Sequence, residues 1–249
     1  GGRGAVLYFG ASLQLLIMTT ISANLQAVLA RIATAARKSG RNPDDISLLA
    51  VSKTWPVSDV REAAASGHRA FGENYVQEGV DKATELASLE LEWHFIGPLQ
   101  SNKTRRVAEA FDWVHSVDRL KIAERLAEQR PDALPPLQIC LQVNVSGEDS
   151  KSGVPMADVP LLARQLASLP RLKLRGLMAI PAPLDDFLQQ RQAFGLLRKI
   201  YQQLKRDGLM LDTLSMGMTH DLEAAIAEGA TIVRVGTAIF GQRMVENSG

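Results

Sequence analysis

Ile46-Ser47-Leu48-Leu49-Ala50-Val51-Ser52-Lys53 is the segment on which the fold turns. Leu48 to Val51 are apolar at consecutive positions, so both faces of the strand need cover, as in a parallel sheet flanked by helices. Working outward, comparable runs recur at residues 70–75, 93–97, 113–117, 137–145, 174–180, 213–219 and 231–240, which makes eight with 46–53. Stretches of helical spacing separate them, at residues 57–66, 75–86, 102–110, 119–129, 157–168, 187–207 and 220–228. This alternation predicts an α/β protein, a single (β/α)8 TIM barrel in preference to an open doubly wound sheet. Upstream, Leu25, Val28, Leu29, Ile32 and Ala36 recur at helical spacing ahead of Gly40, which adds an N-terminal helix from Thr20.

Residues 1–17 are expected to be a leader outside the fold, because their apolar run is broken by Gly10, Ser12 and Gln14 and is too short to span a bilayer. Met18 is the expected start, and the barrel domain is expected to occupy residues 18–249. No Gly/Ser-rich linker divides the chain; Pro131 to Pro136 and Gly147 to Gly153 read as loops. With 28 Lys plus Arg against 27 Asp plus Glu, no global field recruits nucleic acid or an anionic membrane, so any anion site must be local. The single cysteine, Cys140, rules out an intrachain disulfide framework and fits a cytoplasmic location. A monomer is the expected state.

In a barrel of this kind the carboxyl ends of the strands carry the chemistry. Lys53 closes the first strand, where partial desolvation and neighbouring cations are expected to expose a nucleophilic amine. The loops after strands seven and eight are the usual phosphate cradle of the fold. There Gly236 admits a phosphate to the backbone, Thr237 offers an amide and a hydroxyl, and Thr219 is placed to cap the next helix while donating to an anion. Asp221 and Glu223 in that helix would oppose the phosphate. Arg234, two residues before Gly236 and on the same inward face, becomes a neighbour of Lys53 on barrel closure. An aldehyde-bearing, phosphorylated ring fits these groups, with its ring nitrogen toward Arg234, whose fixed positive charge would keep that nitrogen unprotonated. Asn74, at the end of strand two, and Met218 complete the expected set. His94 and His115 lie on neighbouring strands but lack an evident third ligand, so hydrogen-bonded histidines are expected there and no metal site.

The sequence closely resembles the pyridoxal phosphate homeostasis family, also known as the YggS or proline synthase co-transcribed family. The likeness runs from about Met18 to Arg243. It is carried by Leu49-Ala50-Val51-Ser52-Lys53-Thr54, Phe71-Gly72-Glu73-Asn74-Tyr75, residues 93–103 from Trp93-His94-Phe95 onward, Gly176-Leu177-Met178-Ala179-Ile180-Pro181, Ser215-Met216-Gly217-Met218 and residues 234–241. The resemblance implies pyridoxal 5′-phosphate as cofactor, held as an aldimine on Lys53. It further implies Thr219, Gly236 and Thr237 around the phosphate, Arg234 at the ring nitrogen, and a role in vitamin B6 and amino-acid homeostasis with PLP-dependent apoenzymes as partners. Thr219 departs from the family's usual serine, and His220 follows where a different polar residue is common, which touches the detail of the phosphate contact. The barrel also resembles that of alanine racemase, so a weak, one-base racemase is the alternative. Because only eight residues follow Gly241, the second domain bearing that enzyme's opposing base is not expected. A Schiff-base aldolase would place its lysine on strand six, where residues 174–180 have none. Lys103 and Lys151, on functional-side loops, are candidates to relay the aldehyde during delivery.

Overall fold

A computed structural model describes residues 5–149 and 152–241, with side chains described from Thr20 onward. The barrel strands are β1 (Ser47–Val51), β2 (Ala70–Glu73), β3 (Glu92–Phe95), β4 (Trp113–Val117), β5 (Leu137–Asn144), β6 (Leu172–Met178), β7 (Thr213–Ser215) and β8 (Ile232–Val235). Each is parallel to its neighbours, and β1 pairs with β8 in the register Ser47↔Ile232 to Ala50↔Val235, which closes the barrel. A two-residue strand, Val154–Pro155, adds to the end of β5 and was not foreseen.

The helices are α1 (Ala5–Lys38), α2 (Val57–Ala65), α3 (Val76–Glu85), α4 (Thr104–Ala110), α5 (Leu120–Gln129), α6 (Val159–Ala167), α7 (Phe187–Arg206), α8 (Leu222–Ala227) and α9 (Thr237–Phe240). Helix α1 begins earlier than Thr20 and packs across the β1/β8 seam against α2, α8 and α9. Ile21, Leu25, Val28, Ile32, Ala35 and Ala36 form its buried stripe; Leu29, expected inside, is exposed. The Asn24 amide ties α1 to the Ile239 carbonyl at 2.9 Å. At the start of α7 the Asp186 carboxylate accepts the Gln189 N–H at 2.9 Å, satisfying an otherwise unpartnered donor. Among the described residues, no helix is long and apolar enough to cross a membrane.

Two layers of core follow from the alternation of side chains along each strand. Between sheet and helices, Phe71, Phe95 and Phe111 are among the side chains fully removed from water, each contributing about 1.5–3 kcal/mol of transfer energy. Within the barrel, Leu49, Ile96, Trp113, Cys140, Met178 and Ile232 form a second cluster. The polar side chains of His94, His115, Ser215 and Arg234 are buried as well.

Two strands are shorter than the sequence predicts. Residues 213–219 were expected to be extended, yet β7 stops at Ser215 because Gly217 takes a left-handed φ of 102°. A Cβ there would also stand 2.6 Å from Ala225 Cβ, so only glycine fits the bend. Residues 231–240 were expected as strand eight, but β8 ends at Val235. At Gly236 the chain turns, and the Ile239 and Phe240 amides fold back onto its carbonyl at 3.0 Å to make α9.

Candidate functional site

Lys53 follows β1 by two residues, in the turn closed by the Trp55 N–H on the Ser52 carbonyl at 3.0 Å. Its parity with Leu49 and Val51 directs it to the barrel mouth. The expected partial desolvation is not found: Lys53 is exposed. Its backbone is instead held firmly. Thr54 has a φ of 70°, a costly conformation for a β-branched residue that persists only when its surroundings impose it. The Thr54 N–H donates to Glu78 Oε1. Lys82 Nζ donates to the Ser52 carbonyl at 2.7 Å, to Glu73 Oε1 at 2.7 Å and to Glu78 Oε1 at 3.1 Å. Ser52 Oγ donates to Glu73 Oε1 at 2.7 Å. Burial pushes the Glu73 carboxyl up to about 7, even though Lys82 and Ser52 pull the other way. Glu73 stands in a strand-end motif evident in the sequence, but Lys82 and Glu78 were not foreseen here; their spacing of four on a helix was the available signal.

At the seam the β1/β8 register ends with Ala50 opposite Val235, and the next residues, Val51 and Gly236, lie against each other. A Cβ on Gly236 would lie 3.2 Å from the Val51 carbonyl oxygen. Gly236 and Thr237 therefore adjoin the carboxyl end of β1, which Lys53 follows by two residues. Thr237 is exposed and opens the helical turn of α9, where the first amides lack intrahelical acceptors. The hydroxyls of Thr219 and Thr237 have no hydrogen-bond partner among the described residues.

Thr219 does not cap α8. The N-cap is Asp221, whose Oδ1 accepts the Met218 N–H at 2.7 Å, and β7 has already ended before this turn. The two acids expected to oppose an anion are both engaged. Glu223 is gripped by Arg31 of α1, with Nη2 to Oε2 at 2.7 Å, and Arg31 also donates to the Thr219 carbonyl. The Arg31 hydrogen bond holds the Glu223 carboxyl below its ordinary range. Arg31 lies on the first helix, and nothing in its local sequence pointed to this site.

Arg234 is buried under the same mouth, with Nη1 donating to Ser215 Oγ at 2.6 Å and Nη2 to the Ala179 carbonyl at 3.1 Å. Burial brings its guanidinium down to about 10, which leaves it cationic at neutral pH. Asn74 and Met218 line a cavity of about 610 Å³ at the carboxyl end, together with Ile96, Ser116, Gln142 and Ile180. Asn74 Oδ1 is buried with no hydrogen-bond partner, the kind of orphaned atom that a ligand satisfies. Lys103 is exposed in a single turn, Ser101–Lys103, while Lys151 lies outside the described residues. His94 and His115 are hydrogen-bonded to each other, Nδ1 to Nε2, at 2.8 Å.

The chain is similar to several known proteins. Residues 23–244 match the family model described as alanine racemase, N-terminal domain. The pyridoxal phosphate homeostasis protein of Pseudomonas aeruginosa is 62% identical over 226 residues, covering 91% of this chain and 97% of that protein. The protein of the same name from Escherichia coli is 55% identical over 229 residues, covering 91% and 98%. Among solved structures, PipY of Synechococcus elongatus with PLP bound superposes with a TM-score of 0.78 at 40% identity, covering 89% of this chain and all of that one. Alanine racemase from Corynebacterium glutamicum, at 16% identity and a TM-score of 0.65, covers 93% of this chain and 63% of its own and shares the fold.

Proposed function

This chain belongs to the pyridoxal phosphate homeostasis family, built on the alanine racemase N-terminal domain, and from that membership we propose that it holds pyridoxal 5′-phosphate as a Schiff base on Lys53. Its role is then in vitamin B6 and amino-acid homeostasis, as a cofactor carrier without a dedicated turnover. Closure of the barrel supports this proposal: the β1/β8 pairing brings Gly236 against Val51, two residues before Lys53, so that the strand end bearing the amine adjoins the turn proposed as the anion cradle.

The residues fit the group. Lys53 is the amine that would condense with the aldehyde, its nitrogen replacing the carbonyl oxygen, which would leave as water. Thr219, Gly236 and Thr237 supply hydroxyls and amides to the phosphate, and the Arg31–Glu223 pairing removes a charge that would repel it. The unpaired Asn74 amide oxygen is available to a ring substituent. Arg234, cationic at neutral pH, would face the ring nitrogen and keep it unprotonated. When bound, the group would supply an electron sink for the α-carbon of an amino acid, which Arg234 would weaken. Monomeric, cytoplasmic delivery to PLP-dependent apoenzymes belongs to the same proposal.

Absorption spectroscopy of the protein saturated with pyridoxal 5′-phosphate tests it, beside Lys53→Ala. A visible band in the wild type that the variant lacks is the expected result, and a band that survives in Lys53→Ala overturns it. Borohydride trapping should then label Lys53 and spare Lys103 and Lys151. Robust racemisation of alanine or serine would favour the enzyme instead.

A further inference from the structure

A file of polar side chains crosses the inside of the barrel from one mouth to the other. Arg234 Nη1 donates to Ser215 Oγ at 2.6 Å, and Ser215 Oγ lies 2.7 Å from His115 Nδ1. His115 Nε2 lies 2.8 Å from His94 Nδ1, and His94 Nε2 lies 2.6 Å from Glu92 Oε1. Arg234, Ser215, His115 and His94 are buried. Glu92 has a side chain 51% exposed and lines a separate cavity of about 570 Å³ at the amino end of the strands, with Trp113 and Arg175.

With Glu92 a carboxylate that only accepts, and with both imidazoles neutral, every bond in this file takes one direction. A guanidinium only donates, so Ser215 Oγ accepts from Arg234, and its own proton goes to the free lone pair of His115 Nδ1. His115 then carries its ring proton on Nε2 and gives it to His94 Nδ1. His94 in turn carries its proton on Nε2 and gives it to the Glu92 carboxylate. Two neutral imidazoles of the same tautomer thus stand between a buried cation and a carboxylate, with all hydrogen bonds pointing one way. In that direction a second proton on His94 would set Nδ1–H against the N–H of His115 and force His115 into the other tautomer. A second proton on His115 would set its Nδ1–H against the Ser215 hydroxyl. Burial, reinforced by the charge of Arg234, holds His115 well below the ordinary histidine range, in accord with its neutral form.

We propose that Ser215, His115 and His94 are positioning residues that fix the Arg234 guanidinium at the cofactor site and couple it to the charge of Glu92 at the opposite mouth of the barrel. The role at the ring nitrogen rests on the function proposed above; the relay itself is a property of the chain. Other titratable or charged groups face it: His68 and Asp112 toward His94, Arg175 toward Glu92, and Cys140 and Asp221 toward Arg234.

Imidazole ¹⁵N spectra of the cofactor-free protein at neutral pH test the relay directly. The chain has four histidines, so His68→Gln with His220→Gln leaves only the relay pair visible. Both are expected as neutral Nε2–H tautomers. A His115 found as the Nδ1–H tautomer, or either ring found doubly protonated, overturns the proposal. Glu92→Gln keeps an acceptor and removes the charge, so the tautomers should persist while the His115 signals move; an unmoved His115 signal overturns the coupling. Ser215→Ala is expected to free the His115 tautomer and weaken pyridoxal phosphate binding about tenfold, the scale of a lost hydrogen bond to a charged group. Unchanged binding with a freed tautomer overturns the positioning role. Absence of any binding by the wild type would instead remove the proposed function, and the tautomers of the free protein would still decide the relay.

Discussion

Lys82 Nζ lies 2.7 Å from Glu73 Oε1 inside the wall behind the Lys53 turn, and the same ammonium grips the carbonyl of the residue before Lys53. The side chains are 6% and 0% exposed, so this is a buried ion pair whose desolvation cost is offset only while both partners are present. Lys82→Met leaves the Glu73 carboxyl facing Ser52 alone and should destabilise the fold by about 3–5 kcal/mol. Adding Glu73→Leu to it should recover most of the loss. Urea denaturation of the two variants measures both changes, and equal losses would show that the pair is not what holds this wall.

Glu73 also sets a pH dependence. Its folded value of about 7 lies above the ordinary 4.5, so on raising the pH the unfolded chain gives up this proton first. Its stabilising contribution is complete below 4.5 and is lost as pH rises to about 7, at a rate near 1.4 kcal/mol per pH unit. His115 acts with the opposite sign: its folded value lies well below 6.5, so its contribution is lost as pH falls from there. Between 4.5 and 6.5 the two offset each other in the wild type. Glu73→Gln should therefore uncover a steep rise of stability with pH across that interval, read by denaturation at stepped pH.

The barrel was legible because each strand announced itself by apolar residues on both faces, and Lys53, Arg234 and Gly236 because each sits at a strand end or on an inward face. Strand ends were overextended at Thr219 and Phe240 for a local reason. Gly217 and Gly236 bend the chain inside runs whose composition still reads as strand. Arg31, Lys82 and Ser215 were missed for another reason. Their roles come from partners 192, 30 and 100 positions away in the chain, for Glu223, the Ser52 carbonyl and His115 respectively, and no local pattern encodes such pairings.

Gly217 combines a φ of 102° with a Cβ site 2.6 Å from Ala225 Cβ, and its carbonyl accepts the Arg234 N–H at 2.9 Å. Gly217→Ala must pay both for the left-handed backbone and for pushing α8 outward, a loss on the order of 2–4 kcal/mol. Because the shift passes to the Arg234 backbone and to Thr219, affinity for pyridoxal phosphate should fall with it. A thermal melt and a ligand titration on the same sample report the two effects, and a variant with wild-type melting would show that the bend tolerates a side chain.

Arg31 offers the sharpest separation of binding from stability. Its side chain is 35% exposed and that of Glu223 is 43% exposed, so solvent screens the pair and Arg31→Ala should cost less than about 1 kcal/mol of stability. The consequence at the mouth is larger, because Arg31 both neutralises Glu223 and donates to the Thr219 carbonyl. Without it, an uncompensated carboxylate stands beside the hydroxyl assigned to the phosphate. Affinity for pyridoxal 5′-phosphate should drop several-fold, by about 3–10 times at low salt, with a smaller drop at high salt. Pyridoxal, which has the aldehyde and lacks the phosphate, should bind the variant and the wild type alike. Arg31→Ala with Glu223→Gln should restore much of the affinity by removing the stranded charge. Equal weakening for both ligands would locate the effect in α1 packing and would detach Arg31 from the anion site.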